Sequence, residues 1–111
     1  MIKPLYPLSG KRVWVAGHRG MVGSAILRRL QSEDCEVITV GRDTVNLLRQ
    51  DAVESWMTDV RPDAVFLAAA KVGGIYANGS QPADFIYENL MIEANIIHGA
   101  YLTGVEKLLF L

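Results

Sequence analysis

Short apolar runs alternate along the chain with segments whose apolar residues recur every three or four positions. Runs rich in β-branched and aromatic residues predict strands, and the three-to-four spacing predicts amphipathic helices. The predicted strands are Arg12–Ala16, Glu36–Val40, Ala64–Ala69 and Lys107–Leu111, and the predicted helices are Met21–Ser32, Asp51–Val60 and Pro82–Leu102. The resulting order, β-α-β-α-β-α-β, is typical of a parallel sheet whose strands are joined by helical crossovers.

This order predicts an α/β fold: a Rossmann-like, doubly wound parallel sheet, of which the chain holds an incomplete part. With right-handed crossovers, we expect the strand order 3-2-1-4. The uninterrupted apolar run VFLAAA, from Val65 to Ala70, fits a strand that is buried on both faces. Residues 1–11 contain Pro4 and Pro7 and predict an extended leader into the first strand.

The composition is that of an ordinary globular domain, with 50% hydrophobic residues and a net charge of −1. This charge gives no basic field that would favour nucleic acid as a partner. No apolar run reaches the length of a membrane span, and we expect no membrane partner. Cys35 is the single cysteine, which excludes an intrachain disulfide and a cysteine metal cluster and fits a cytoplasmic protein.

Three glycines at every third position separate the first strand from the first helix. They are Gly17, Gly20 and Gly23, within the sequence VWVAGHRGMVGSAI from Val13 to Ile26. A glycine-rich turn between a strand and a helix binds the pyrophosphate of a dinucleotide, because the helix offers unpaired N–H groups and glycine permits close approach. The alternative is a tight turn that needs glycine for its geometry alone.

The residues after the second strand bear on the choice of cofactor. An acidic residue there binds the ribose 2′-hydroxyl of NAD, whereas an arginine nearby accommodates the 2′-phosphate of NADP. Arg42 stands at this point, and Arg19 of the glycine loop can close on the same phosphate from the other side. We therefore predict NADP, although Asp43 keeps NAD open and Arg42 could be a solvated loop residue.

Four sequence blocks together resemble one enzyme family. They are AGHRGMVGSAI (Ala16–Ile26), RD-x-x-NL (Arg42–Leu47), LAAAKVGGI (Leu67–Ile75) and PADFIYENLMIEANII (Pro82–Ile97). These blocks, followed by KLLFL, are similar to the N-terminal part of the GDP-L-fucose synthases, which belong to the extended short-chain dehydrogenase/reductase group. The resemblance extends over nearly the whole chain from about Arg12 onward.

The resemblance implies a function for the intact protein. The family converts GDP-4-keto-6-deoxymannose to GDP-L-fucose by 3,5-epimerisation and NADPH-dependent reduction at C4, acting as a homodimer whose interface includes the helix matching residues 82–102. By position, the glycine loop would contact the pyrophosphate, and the two arginines would contact the 2′-phosphate. Asn46 and Leu47 would lie on the adenine side, and the alanines after the third strand would lie along the ribose. The implied cofactor site consists of Gly17, His18, Arg19, Gly20, Met21, Val22, Gly23, Arg42, Asn46, Leu47, Ala68, Ala69 and Ala70.

The chain departs from the family in its catalytic residues. The family's catalytic Ser, Tyr and Lys, its reactive Cys and its acid/base His follow the strand that matches Lys107–Leu111. A catalytic Tyr-x-x-x-Lys pair needs a lysine four residues after a tyrosine, and none of Tyr6, Tyr76, Tyr87 and Tyr101 has one. We therefore expect residues 12–111 to be the N-terminal part of an NADP-binding Rossmann domain, inactive alone and without catalytic residues. A stand-alone nucleotide-binding or regulatory module, and another nucleotide-sugar epimerase or dehydratase, are the alternatives.

Overall fold

The computed structural model describes residues 3–69 and 82–111, and it contains each of the predicted strands and helices. The elements are β1 (Arg12–Ala16), α1 (Met21–Leu30), β2 (Glu36–Ile38), α2 (Gln50–Val60), β3 (Ala64–Leu67), α3 (Pro82–Thr103) and β4 (Lys107–Phe110). The bounds of β1 are those predicted, and each other element differs from its prediction at one end by one or two residues. The α/β, Rossmann-like fold class is confirmed, because all strand pairs in the sheet are parallel and helices connect them.

The strands lie in the order β2-β1-β3-β4, so the predicted order 3-2-1-4 is wrong. Val13 of β1 pairs with Val37 of β2 on one side and with Ala64 of β3 on the other. The reason is burial: three of the four β3 residues are buried, whereas β2 is exposed or half-buried throughout. A strand covered on both faces belongs in the interior of a sheet, and one that is half exposed belongs at its edge.

The core has two layers, one on each face of the sheet. Because successive residues of β1 point to opposite faces, Trp14 packs into the layer under α2 and α3, whereas Val13 and Val15 pack into the layer under α1. The Trp14 and Trp56 rings meet edge-on with their centroids 4.6 Å apart. The α2/α3 layer includes Trp14, Ala16, Val53, Met57, Val65, Leu67, Ile92, Ile96 and Ala100. Helices therefore cover both faces, as a doubly wound sheet requires.

The segment before β1 is fastened to the amino-terminal edge of the sheet. The Tyr6 hydroxyl donates a hydrogen bond to Glu106 Oε1 at 2.7 Å, and Lys11 Nζ donates to the same oxygen at 2.9 Å. Burial and the Glu106 carboxylate together raise the pKa of Tyr6 to about 12. Ser9 Oγ donates to Asp34 Oδ2 at 3.0 Å, which joins the segment to the loop before β2 as well. These contacts leave the opposite, carboxyl-terminal edge of the sheet accessible.

Candidate functional site

The path of the chain creates a crevice at the carboxyl ends of β1 and β3. The chain passes from β1 to β2 on one side and then crosses to β3 on the other side of β1. In open α/β sheets, ligands bind at the point where the strand order reverses in this way. The glycine loop follows β1, and Ala68 and Ala69 follow β3, so both segments meet at this crevice.

The crevice holds a cavity of about 570 Å³. Its predicted lining residues are Gly17, His18, Arg19, Gly20, Met21, Val22, Arg42, Leu47, Ala68 and Ala69. Sequence reasoning missed Val40, Gly41 and Ile92, which line it as well. Val40 and Gly41 lie between the end of β2 and Arg42, and this position in the sequence could have identified them. Ile92 lies on α3, and the apolar periodicity of this helix does not show which of its residues line the cavity.

Two predicted site residues within the described part of the chain do not line this cavity. Gly23 is buried beneath the loop, within the first turn of α1. Asn46 lines a smaller neighbouring cavity of about 120 Å³ with Arg42, Leu47, Leu48, Glu88 and Ile92. Ala70 lies outside the described residues.

The three loop glycines differ in what the fold demands of them. Gly17 has φ +86°, and a Cβ there would lie 2.7 Å from backbone atoms of Ala68 and Ala69. A Cβ on Gly23 would overlap the carbonyl group of Gly17. A Cβ on Gly20 would meet only the Gly17 oxygen, at an ordinary 3.5 Å. The fold thus requires glycine at the first and third positions, whereas the second faces the cavity with room to spare.

Helix α1 points its amino terminus at the cavity. Its N-cap residue is Gly20, which offers no side-chain hydrogen bond, and the first turn carries no acidic residue. The first N–H groups of a helix lack intrahelical partners and carry partial positive charge. Met21 and Val22 of this first turn line the cavity. The helix end is therefore suited to an anion.

Two arginines from separate loops converge at the β2 side of the cavity. Arg42 follows β2 and is exposed. Arg19 extends from the glycine loop, and its Nη2 would lie 3.5 Å from a Cβ built on Gly41. The Asp43 carboxylate approaches the same point, with Oδ1 2.6 Å from that Cβ position. Both arginines line the cavity, and the Arg19 side chain extends to Gly41, the residue directly before Arg42.

A buried amide fixes the loop between β2 and α2. Asn95 of α3 is 5% exposed, and its Nδ2 donates a hydrogen bond to the carbonyl oxygen of Leu47 at 2.9 Å. Asn46 Oδ1 accepts a hydrogen bond from the Leu48 N–H at 3.0 Å, which turns the loop locally. Sequence reasoning missed Asn95; its signal was a polar residue on the buried face of α3, beside Ile96.

Comparison with known proteins agrees with this geometry. The family model described as the NAD dependent epimerase/dehydratase family matches residues 13–111. The chain belongs to this family. Among curated relatives, it is 62% identical over 108 residues to the GDP-L-fucose synthase of Sinorhizobium fredii (strain NBRC 101917 / NGR234), covering 97% of this chain and 34% of that protein. It is 57% identical over 105 residues to the GDP-L-fucose synthase of Escherichia coli (strain K12), covering 94% and 33%.

A solved structure gives the same result for the fold. The GDP-mannoheptose C4 reductase MlghC from Campylobacter jejuni, solved with NADP bound, is 39% identical with a TM-score of 0.85, covering 91% of this chain and 32% of that chain. The resemblance to GDP-L-fucose synthases is thus confirmed. The chain spans about a third of the length of the curated relatives it matches.

None of the helices within residues 3–69 and 82–111 has the length and apolarity that crossing a membrane requires. The same residues bring together no group of three or more His, Cys, Asp and Glu side chains that could hold a metal ion.

Proposed function

We propose that this chain is the NADP(H)-binding part of a GDP-L-fucose synthase. The observation that carries the proposal is the cavity at the β1/β3 crevice, which has a helix amino terminus at its glycine loop and two arginines at the end of β2. The relatives that share 62% and 57% identity with the chain bear this enzyme's name. Identity to the mannoheptose reductase is lower, at 39%.

The glycine loop fits a pyrophosphate. A Cβ on Gly20 would meet no protein atom at close range, so the space above Gly20 is available to a ligand. The N–H groups at the start of α1 point toward that space, and a phosphate there would satisfy them and meet the positive end of the helix. Gly17 and Gly23 hold the loop close to β3 and to itself, which keeps this cradle in shape.

The arginines fit a 2′-phosphate. Arg19 and Arg42 offer permanently charged, planar donors that can each form two hydrogen bonds to phosphate oxygens. Leu47 and Asn46 lie beyond Arg42, where the adenine would be held, and Ala68 and Ala69 leave room for the ribose on the β3 side. When bound, NADPH supplies the hydride for reduction at C4. The residues of this chain bind and orient it.

The whole protein would act on a GDP-sugar, converting GDP-4-keto-6-deoxymannose to GDP-L-fucose in the cytoplasm. We propose that it does so as a homodimer, without nucleic acid or membrane as partner. Helix α3 supports the homodimer because it exposes a row of large apolar side chains: Ile86, Tyr87, Leu90, Ile97 and Tyr101. The 111-residue chain should bind cofactor without turning over substrate, because it has no Tyr-x-x-x-Lys pair.

Calorimetric titration of the chain with NADP⁺ and NAD⁺ tests the cofactor assignment. We expect NADP⁺ to bind at least about tenfold more tightly, and Arg42→Ala to remove most of this preference by deleting a charge-assisted contact to the phosphate. Arg28→Ala is the matched control, because it deletes the same charge from an exposed position of α1 outside the cavity lining. Absence of binding, or equal affinity for the two dinucleotides, would contradict the proposal.

A further inference from the structure

Two apolar residues from separate elements lie where the larger and the smaller cavity meet. Leu47, from the loop between β2 and α2, and Ile92, from α3, line both cavities together with Arg42. Leu47 also packs against the core layer that contains Ile92. A flat aromatic base at this junction would bury its faces against apolar side chains. The junction is therefore suited to the base of a dinucleotide.

The loop around Leu47 is shaped by short-range hydrogen bonds and tied to α3 by a longer-range one. The Asn46 carbonyl oxygen accepts a hydrogen bond from the Arg49 N–H at 3.0 Å, and Asn46 Oδ1 accepts one from the Leu48 N–H at 3.0 Å. These two bonds form a turn but do not fix its position on the molecule. The hydrogen bond from Asn95 Nδ2 to the Leu47 carbonyl oxygen, at 2.9 Å, joins this turn to α3.

Asn95 is a polar residue on a face of α3 that otherwise packs into the core. It is 5% exposed and belongs to the same helix face as the buried Ile92 and Ile96. A buried amide costs stability unless it is hydrogen-bonded, whereas a leucine of similar size would need no partner. The amide differs from an apolar residue in giving direction: it fixes the Leu47 carbonyl and, because a peptide is planar, the orientation of the whole Leu47–Leu48 peptide.

We propose that Asn95 is a positioning residue for the adenine of the cofactor, which it serves by holding Leu47 at the junction of the two cavities. This inference rests on the proposed function. A loop that is already ordered loses less conformational entropy when a ligand binds, so its affinity is higher. Without the amide, the Leu47 peptide would adopt other orientations as well, and only the fraction of molecules with the competent one would bind.

The phosphate contacts of Arg42 should not depend on Asn95. Arg42 belongs to a separate turn, in which the Gly41 carbonyl oxygen accepts hydrogen bonds from the N–H groups of Thr44 and Val45, both at 3.1 Å. Adenine is common to NADP and NAD, whereas the 2′-phosphate is present in NADP alone. Loss of Asn95 should therefore weaken both dinucleotides by the same factor and leave the preference for NADP unchanged.

The test is calorimetric titration of the 111-residue chain with NADP⁺, NAD⁺ and adenosine 2′,5′-bisphosphate, which lacks the nicotinamide half. Asn95→Leu should weaken all three by about fivefold and keep the ratio of NADP⁺ to NAD⁺ affinity within about twofold. Asn95→Ala should do the same, since the two variants differ in bulk and share the loss of the amide donor. Circular dichroism verifies that each variant is folded.

Ala100→Gly is the matched control. It replaces another buried residue of α3, which lines neither cavity, and lowers stability because glycine is a poor helix former. All three affinities should stay within about twofold of the wild type in this variant. An equal loss in Ala100→Gly would show that affinity follows the stability of α3 and not the amide, and would overturn the inference.

Three further results would overturn it. The first is wild-type affinity in Asn95→Leu or Asn95→Ala. The second is a loss confined to NADP⁺, which would place the effect at the 2′-phosphate, and the third is a loss that spares the bisphosphate, which would place it at the nicotinamide half. If the wild-type chain binds none of the three ligands, the proposed function fails and not this inference alone.

Discussion

At the scale of single residues, the glycines of the loop differ in whether the fold or the ligand requires them. Gly17→Ala forces a side chain into a left-handed backbone and against Ala68, so we expect a loss of about 2 kcal/mol or more in the free energy of unfolding. Gly20→Ala meets no close atom and should cost about 1 kcal/mol or less, the usual cost of alanine at an N-cap. Urea denaturation measures both.

The NADP⁺ affinity of the two variants should not follow their stabilities. We expect Gly20→Ala to remain folded and to bind NADP⁺ at least about tenfold more weakly, because its methyl group stands where the pyrophosphate approaches the backbone. A Gly20→Ala chain with wild-type affinity would contradict the assignment of this loop to the cofactor.

The same residues show what sequence patterns can and cannot predict. The glycine spacing and the position of Arg42 after β2 are local features, and Gly17, Gly20 and Arg42 all line the cavity. Gly41 lies beside Arg19, 22 positions earlier in the chain, and no local pattern encodes that approach. Asn95 likewise acts on Leu47, 48 positions earlier in the chain.

At the scale of elements, α3 holds the loop that carries Leu47. Asn95→Leu keeps a similar volume but leaves the half-buried Leu47 carbonyl without its donor, and we expect a loss of about 1 kcal/mol. Ala94→Leu, at an exposed position of the same helix, is the control and should change stability by less than about 0.5 kcal/mol. Equal losses for the two variants in urea denaturation would show that the amide contributes nothing specific.

A carboxylate links the segment before β1 to the start of β4, and its contribution to stability depends on pH. Hydrogen bonds from Lys11 and Tyr6 lower the pKa of Glu106, so this group stabilises the fold above its ordinary pKa of about 4.3 and loses that contribution as pH falls through its folded value. We expect Glu106→Gln to lower Tm at pH 7, and the difference from the wild type to shrink toward pH 3. Asp59→Asn removes the same charge from an exposed position of α2 as a control. A difference that is constant from pH 7 to pH 3 would contradict this linkage.

The elements also show where sequence reasoning about topology fails. The alternation of apolar runs gave the strands and helices because each depends on its own residues. Strand order depends instead on which strand is covered on both faces. The difference between the continuous apolar run of β3 and the half-exposed β2 was readable from the sequence, yet the predicted order placed β2 in the interior. Burial of β3 beside β1 is also what creates the crevice.

At the scale of the whole molecule, two exposed apolar surfaces within residues 3–69 and 82–111 bear on assembly. One is the α3 row that contains Leu90, which is 60% exposed. The other is the outer edge of β4, where Leu109 is 47% and Phe110 51% exposed and where the described sheet continues no further. An exposed apolar strand edge favours pairing with another chain, whereas an apolar helix face favours a symmetric dimer.

These two surfaces predict how the 111-residue chain assembles. We expect sedimentation velocity to show species larger than a dimer that increase with protein concentration. Leu109→Lys should abolish the larger species and leave the dimer, because a lysine at a strand edge opposes further strand pairing. Adding Leu90→Glu should then give a monomer, since a charge in the α3 row would be buried without a partner in the dimer. A wild-type chain that sediments as a monomer at high concentration would contradict both assignments, and a dimer that survives Leu90→Glu would contradict the α3 interface alone.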